Sequence, residues 1–82
     1  MANETILIAE DEPEILELLQ KYLGNAGYQT VCARDGRSAK TLAQGKIDLI
    51  LLDIGLPELD GLEVTRLVRQ SRLTPILILT AR

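Results

Sequence analysis

Three acidic residues stand where an apolar run gives out. Asp53 follows the stretch Leu49 to Leu52, and Glu10 and Asp11 follow the earlier stretch Ile6 to Ala9. A carboxylate at the carboxyl end of an apolar strand lies where open α/β sheets place their reactive groups. Acids clustered at neighbouring strand ends repel one another unless a cation or a shared proton intervenes. The pattern therefore points to a metal site containing a chemically useful aspartate. One or two carboxylates completed by water are the hard oxygen ligands that Mg²⁺ prefers. A carboxylate beside such a cation is a competent nucleophile toward a phosphoryl group, giving an acyl phosphate. Thr80, at the end of the last apolar run, would offer a hydroxyl to a transferred oxygen. Simpler readings stand beside these. Acids favour the first turn of a helix, which accounts for Glu10 and Asp11. Asp53 could cap a loop amide, and threonines are common at strand ends.

The elements that must position these groups alternate from end to end. Strands are expected over 5–9, 28–33, 47–53 and 75–80, and helices over 13–26, 37–44 and 60–70. Pro13 suits a first helical position, and Ile15, Leu16, Leu18, Leu19, Tyr22, Leu23 and Ala26 follow with helical periodicity. Gly27 supplies a helix stop, and Asp35-Gly36 marks a turn. The third strand is almost continuously apolar, as expected when both faces are covered. The order βαβαβαβ implies right-handed crossovers and a parallel sheet. With the first strand central between the second and third, the acids meet in the crevice at the switch point. The last strand, 76–79, is as apolar as the third and would leave a bare edge, a site for pairing. The chain accordingly reads as one partial domain over 1–82.

Composition narrows the function. Eighty-two residues make one small domain at most, and 46% hydrophobic with 26% charged residues is ordinary for a globular chain. Nine basic against 12 acidic residues, a net charge of -3, give no reason to expect nucleic-acid binding. Arg66, Arg69 and Arg72 recur every third residue and read as a solvated helix face. The single cysteine, Cys32, excludes an internal disulfide and reads as a small packed hydrophobe. There is no histidine, so histidine-based phosphotransfer on this chain is excluded. No signal peptide, membrane span or lipidation motif is visible, and a reducing, cytoplasmic setting is expected.

The segments 6–13 (ILIAEDEP), 51–63 (LLDIGLPELDGLE) and 75–82 (PILILTAR) together resemble the receiver domain of two-component response regulators. The spacing of Asp53, Pro57 and Gly61 and the Thr80-Ala81 pair are specific in combination. The resemblance covers the whole chain and about two-thirds of a usual receiver of roughly 120 residues. It implies a flavodoxin-like parallel sheet of order 2-1-3-4, cut before the fourth helix, fifth strand and fifth helix. It implies that Asp53 takes a phosphoryl group from a histidine kinase. It further implies that Asp11 ligates Mg²⁺ directly, Glu10 through water, and Gly55 through its backbone carbonyl. Thr80 matches the hydroxyl residue that engages the phosphoryl group, Pro57 shapes the phosphorylation loop, and Gly61 follows it. The ending Leu79-Thr80-Ala81-Arg82 leans toward regulators with a winged-helix DNA-binding domain, although the fragment itself would not bind nucleic acid.

The departures carry expectations too. A receiver continues to a fifth strand bearing a lysine that pairs with the phosphoryl group, and here the chain stops at Arg82. Lys40 and Lys46 fall at the wrong end of the sheet. Phosphorylation and switching are therefore expected to be impaired, and enzymatic activity of its own is not expected. An alternative from another class is an assembly fragment that homodimerises through the exposed strand 76–80. An aspartate-dependent phosphatase would want an acid two residues after the nucleophile, where Gly55 stands.

Overall fold

The computed structural model describes residues 4–53, 56, 66, 69 and 74–79. In chain order these form β1 (Thr5–Ala9), α1 (Pro13–Asn25), β2 (Gln29–Ala33), α2 (Gly36–Leu42), β3 (Leu49–Asp53) and β4 (Ile76–Leu79). The strands make one parallel sheet in the order β2-β1-β3-β4, the order expected from the sequence. Most of the helix expected over 60–70 lies outside the described residues, as do Gly55, Pro57, Gly61 and Thr80. Arg66 and Arg69 are helical and exposed, and the Arg69 guanidinium donates to the Thr74 carbonyl.

Strand alternation divides the core in two. Successive side chains of a strand point to opposite faces. Leu7, Ala9, Ala33, Ile50 and Leu52 accordingly pack with Ala39 of α2 and its C-cap Ala43 on one face. Ile6, Ile8 and Leu51 pack with Leu16 of α1 on the other, with Leu19, Leu23 and Cys32 against them. β1 and β3 are thus covered on both sides, which is why their sequences are unbroken apolar runs. The two alanines let α2 approach the sheet closely, whereas α1 reaches it through leucines at i, i+3 and i+7.

The six periodic apolar residues that fall within α1 do not all face the core. Leu18 is 65% and Tyr22 74% exposed, and Ile15 is also exposed. A helix lying on one sheet buries only a stripe, and these three fall beyond it.

Apart from β1, which keeps its expected bounds, element ends move by one or two residues, and hydrogen bonds account for the shifts. Tyr28 is not in β2 because its N–H donates to the Leu23 carbonyl and closes α1, with Gly27 in the left-handed region at φ 99°. Ala26 caps α1 rather than extending it. α2 begins at Gly36 because the Asp35 carboxylate accepts the Ser38 N–H at 2.7 Å, an N-cap. It ends at Leu42 because Gln44 and Gly45 donate three residues back, to Thr41 and Leu42, tightening the last turn. β3 starts at Leu49: Ile47 donates to Gly45 within the turn, and Asp48 exchanges hydrogen bonds with Thr5 through its N–H and its carboxylate. Pro75 precedes β4, having no N–H to give, while its carbonyl accepts from Ile50.

Candidate metal centre

Register brings the acids together. Ala9 pairs with Leu52 across β1 and β3, so Glu10 and Asp53, one step on, leave the sheet side by side. Carboxylate oxygens of Glu10, Asp11 and Asp53 all lie within 4.8 Å of one another. Glu10 is 3% and Asp53 2% exposed, and Asp11 is half-buried. The backbone fixes the pocket from both sides. The Glu10 N–H donates to the Ala33 carbonyl at 2.9 Å, tying this end of β1 to β2, and the Leu56 N–H donates to the Asp53 carbonyl at 3.3 Å. Leu56, three residues past Asp53, buries its side chain in the α2-side core. Sequence reading gives Leu56 no role, because it is one of three large apolar residues in the stretch 54–59 and nothing there marks it out as the buried one.

Glu10 carries the electrostatic strain of the site. Burial pushes its carboxyl above the ordinary value of 4.5, opposed by a hydrogen bond from the Glu12 backbone. The charges of Asp53 and Asp11 push it further up, as does a hydrogen bond with the Asp53 side chain. Two unit charges at this spacing repel by roughly 3 kcal/mol at an effective dielectric near 20. A divalent cation removes that cost, and three buried or half-buried carboxylates are a hard-oxygen donor set suited to one. The residues present fit Mg²⁺.

The capping reading of Glu10 holds alongside this one. Its Oε2 accepts the Glu12 N–H at 3.1 Å, just ahead of α1, while Glu12 at the N-cap position makes no side-chain cap. One carboxylate thus serves a helix entrance with one oxygen and faces Asp53 as well. Thr80 and Gly55 lie outside the described residues; the register Asp53 with Leu79 puts position 80 next along the chain from the partner of Asp53. Cys32 is half-buried against the α1-side core, and burial raises its thiol, partly offset by a hydrogen bond with Gln20. No helix among the described residues is long and apolar enough to cross a membrane.

Comparison with known proteins places this geometry. Residues 6–82 match the model of the response regulator receiver domain. The chain is 48% identical over 82 residues to the alkaline phosphatase synthesis transcriptional regulatory protein PhoP of Bacillus subtilis, covering 98% of this chain and 34% of that one. It spans about a third of the length of the curated relatives it matches. Among solved structures it superposes on the receiver domain of the Pseudomonas aeruginosa sensor histidine kinase PA1611, which has a magnesium ion coordinated in its active-site cleft. There the TM-score is 0.91 and the identity 36%, covering 99% of this chain and 70% of that one. It also superposes on the Thermotoga maritima response regulator TrrA in complex with Mg(2+)-BeF, with a TM-score of 0.85 and 38% identity over 96% and 70% of the two chains. Flavodoxin-like in fold and carrying an acidic cluster suited to a metal ion, the chain belongs to the receiver-domain family of two-component response regulators.

Proposed function

We propose that Asp53 is the phosphoacceptor of this receiver and that Glu10, Asp11, Asp53 and the backbone carbonyl of Gly55 hold the Mg²⁺ used in the transfer. The observation that carries this reading is the convergence of three carboxylates within 4.8 Å at the carboxyl ends of β1 and β3. Bound there, Mg²⁺ would offset the negative charge gathered by the phosphoryl oxygens. Asp53, held by its strand at the pocket floor, directs an oxygen at the phosphorus of a phosphohistidine on a partner kinase. An O–P bond forms as the P–N bond breaks, and the electron pair leaves with the imidazole. The product is an acyl phosphate on Asp53. Thr80 donates its hydroxyl to a phosphoryl oxygen. The domain promotes its own phosphorylation and loss of phosphate and turns over no separate substrate. It works in the cytoplasm, with any DNA-binding output carried by another part of the parent protein.

In the 82 residues by themselves, Lys21 lies on α1, Lys40 in the last turn of α2 and Lys46 ahead of β3, none of them at the carboxyl ends of the strands. Transfer to these residues alone is accordingly slow. The test is incubation with phosphoramidate, a small P–N donor, and Mg²⁺, followed by intact mass. The expected result is slow addition of a single hydroxylamine-labile phosphoryl group that Asp53→Asn abolishes. A label that persists in Asp53→Asn would overturn the assignment.

A second reading for the 82-residue chain is association with its own copy through β4. One observation favours it: Leu77 and Ile78 are exposed on the strand that ends the sheet among the described residues. Sedimentation velocity over a dilution series should then show a concentration-dependent dimer, and a monomer throughout would dispose of the idea.

A further inference from the structure

The opposite edge of the sheet, at β2, carries a second recognition surface. β2 is a terminal strand, paired only with β1 among the described residues. The Gln29 N–H donates to the Glu4 carbonyl, and the Ala33 carbonyl accepts the Glu10 N–H. Successive residues of a strand direct their peptide groups to alternate sides. Gln29, Val31 and Ala33 therefore bond toward β1, and Thr30 and Cys32 present their N–H and C=O groups to the outer edge. Such an edge is a template for another strand.

A cleft of about 650 Å³ lies between the carboxyl end of β2 and α2. Its walls include Ala33 and Leu42, and its rim holds Arg34, Arg37, Ser38 and Thr41. The rim's charge is positive. Asp35 is its one acid, and the Asp35 carboxylate is already engaged by the Ser38 backbone N–H, which holds it below its usual range. The Thr41 hydroxyl donates to the Arg37 carbonyl, fastening that turn of α2 while both arginines stay exposed. The chain as a whole carries -3, so this basic rim runs against the prevailing charge.

We propose that the β2 edge binds an extended acidic peptide segment by strand addition, with peptide groups pairing with Thr30 and Cys32 and a carboxylate side chain received by Arg34 and Arg37. Backbone pairing supplies the affinity of such complexes and side-chain pockets at alternate positions supply the selection. A strand's side chains repeat every second residue, so one face of the added segment would lie over the cleft. Charge complementarity chooses an acidic segment over a basic one. The cleft and the acidic cluster share no residue.

The probe is a short capped peptide of alternating valine and glutamate, titrated into the ¹⁵N-labelled full chain without Mg²⁺. Saturable shifts should appear at Thr30, Cys32, Arg34 and Arg37, with slowed amide exchange at Thr30 and Cys32. The Arg34→Gln/Arg37→Gln variant, altered only at exposed side chains, should bind about tenfold more weakly. Asp53→Asn should bind as the parent does. An N-methylated copy of the peptide, keeping every side chain but unable to pair, should fail to bind. Equal binding of that copy, equal binding of a valine–lysine peptide, or no saturable shift at the β2 edge would each overturn the proposal.

Discussion

Glu10 and Asp53 emerge side by side from adjacent parallel strands, one step beyond the Ala9–Leu52 pair, and both are almost wholly buried. Two carboxyls in that position are unfavourable without compensation, and the fold keeps them because β1 and β3 are locked by cores on both faces. The site is thus strained by design of the strands that carry it, in the sense that burial and mutual charge act on the same side chain.

The pH dependence of stability follows from Glu10. Its folded-state pKa lies above the ordinary 4.5, so the folded chain holds this proton more tightly than the unfolded chain. Between those two values stability falls as pH rises, and above the folded value the whole penalty applies. Glu10→Gln removes the penalty and keeps an oxygen for the Glu12 N–H. In chelator the variant should melt above the parent at pH 7 and show a flatter decline of melting temperature above about pH 4.5. With Mg²⁺ the parent should gain stability and the variant gain less. Thermal scans with and without the ion decide it. A parent that is more stable than the variant in chelator at pH 7 would contradict the electrostatic account.

Leu7 and Leu18 give a contrast in packing. Leu7 is fully buried on the central strand, and Leu18 is largely exposed on α1. Leu7→Ala should cost about 2–5 kcal/mol, a large share of the stability of a small domain. Leu18→Ala should stay within about 0.5 kcal/mol. Urea unfolding of the two variants reads the difference directly, and similar losses would mean that α1 is seated differently from the structure.

Gly27 adopts φ 99° between α1 and β2, where an L side chain meets its own backbone. Gly27→Ala should destabilise by about 1–2 kcal/mol, whereas Gly24, whose Cβ position is open, should accept alanine without clash. Paired chemical denaturation of Gly27→Ala and Gly24→Ala measures both.

The sheet was legible because its strands are covered on two faces and therefore read as unbroken apolar runs. β1 and β3 announce themselves in this way, the alternation of elements implies a parallel sheet, and the order β2-β1-β3-β4 came from the resemblance to receiver domains. Boundaries were less legible, since Tyr28, Ile47 and Gln44 carry no composition signal for the hydrogen bonds that exclude them from their neighbouring elements. The acidic site could be located from Glu10, Asp11 and Asp53 at strand ends, because a parallel sheet with β1 beside β3 brings those ends together. The double engagement of Glu10, with the Glu12 N–H and with Asp53, could not be read, because capping and metal binding call for the same residue type at the same place. The exposed stripe Ile15, Leu18 and Tyr22 was hidden for a related reason: helical periodicity marks apolar residues without saying how wide a band the sheet will cover.

The central claim is that Glu10, Asp11 and Asp53 act together as one cation site. A Mg²⁺ titration of the full chain followed by amide chemical shifts tests it most directly. Saturable shifts centred on residues 10, 11 and 53, abolished in both Asp11→Asn and Asp53→Asn while the rest of the spectrum stays folded, are the predicted result. Equal Mg²⁺ affinity in the parent and in either variant would contradict it.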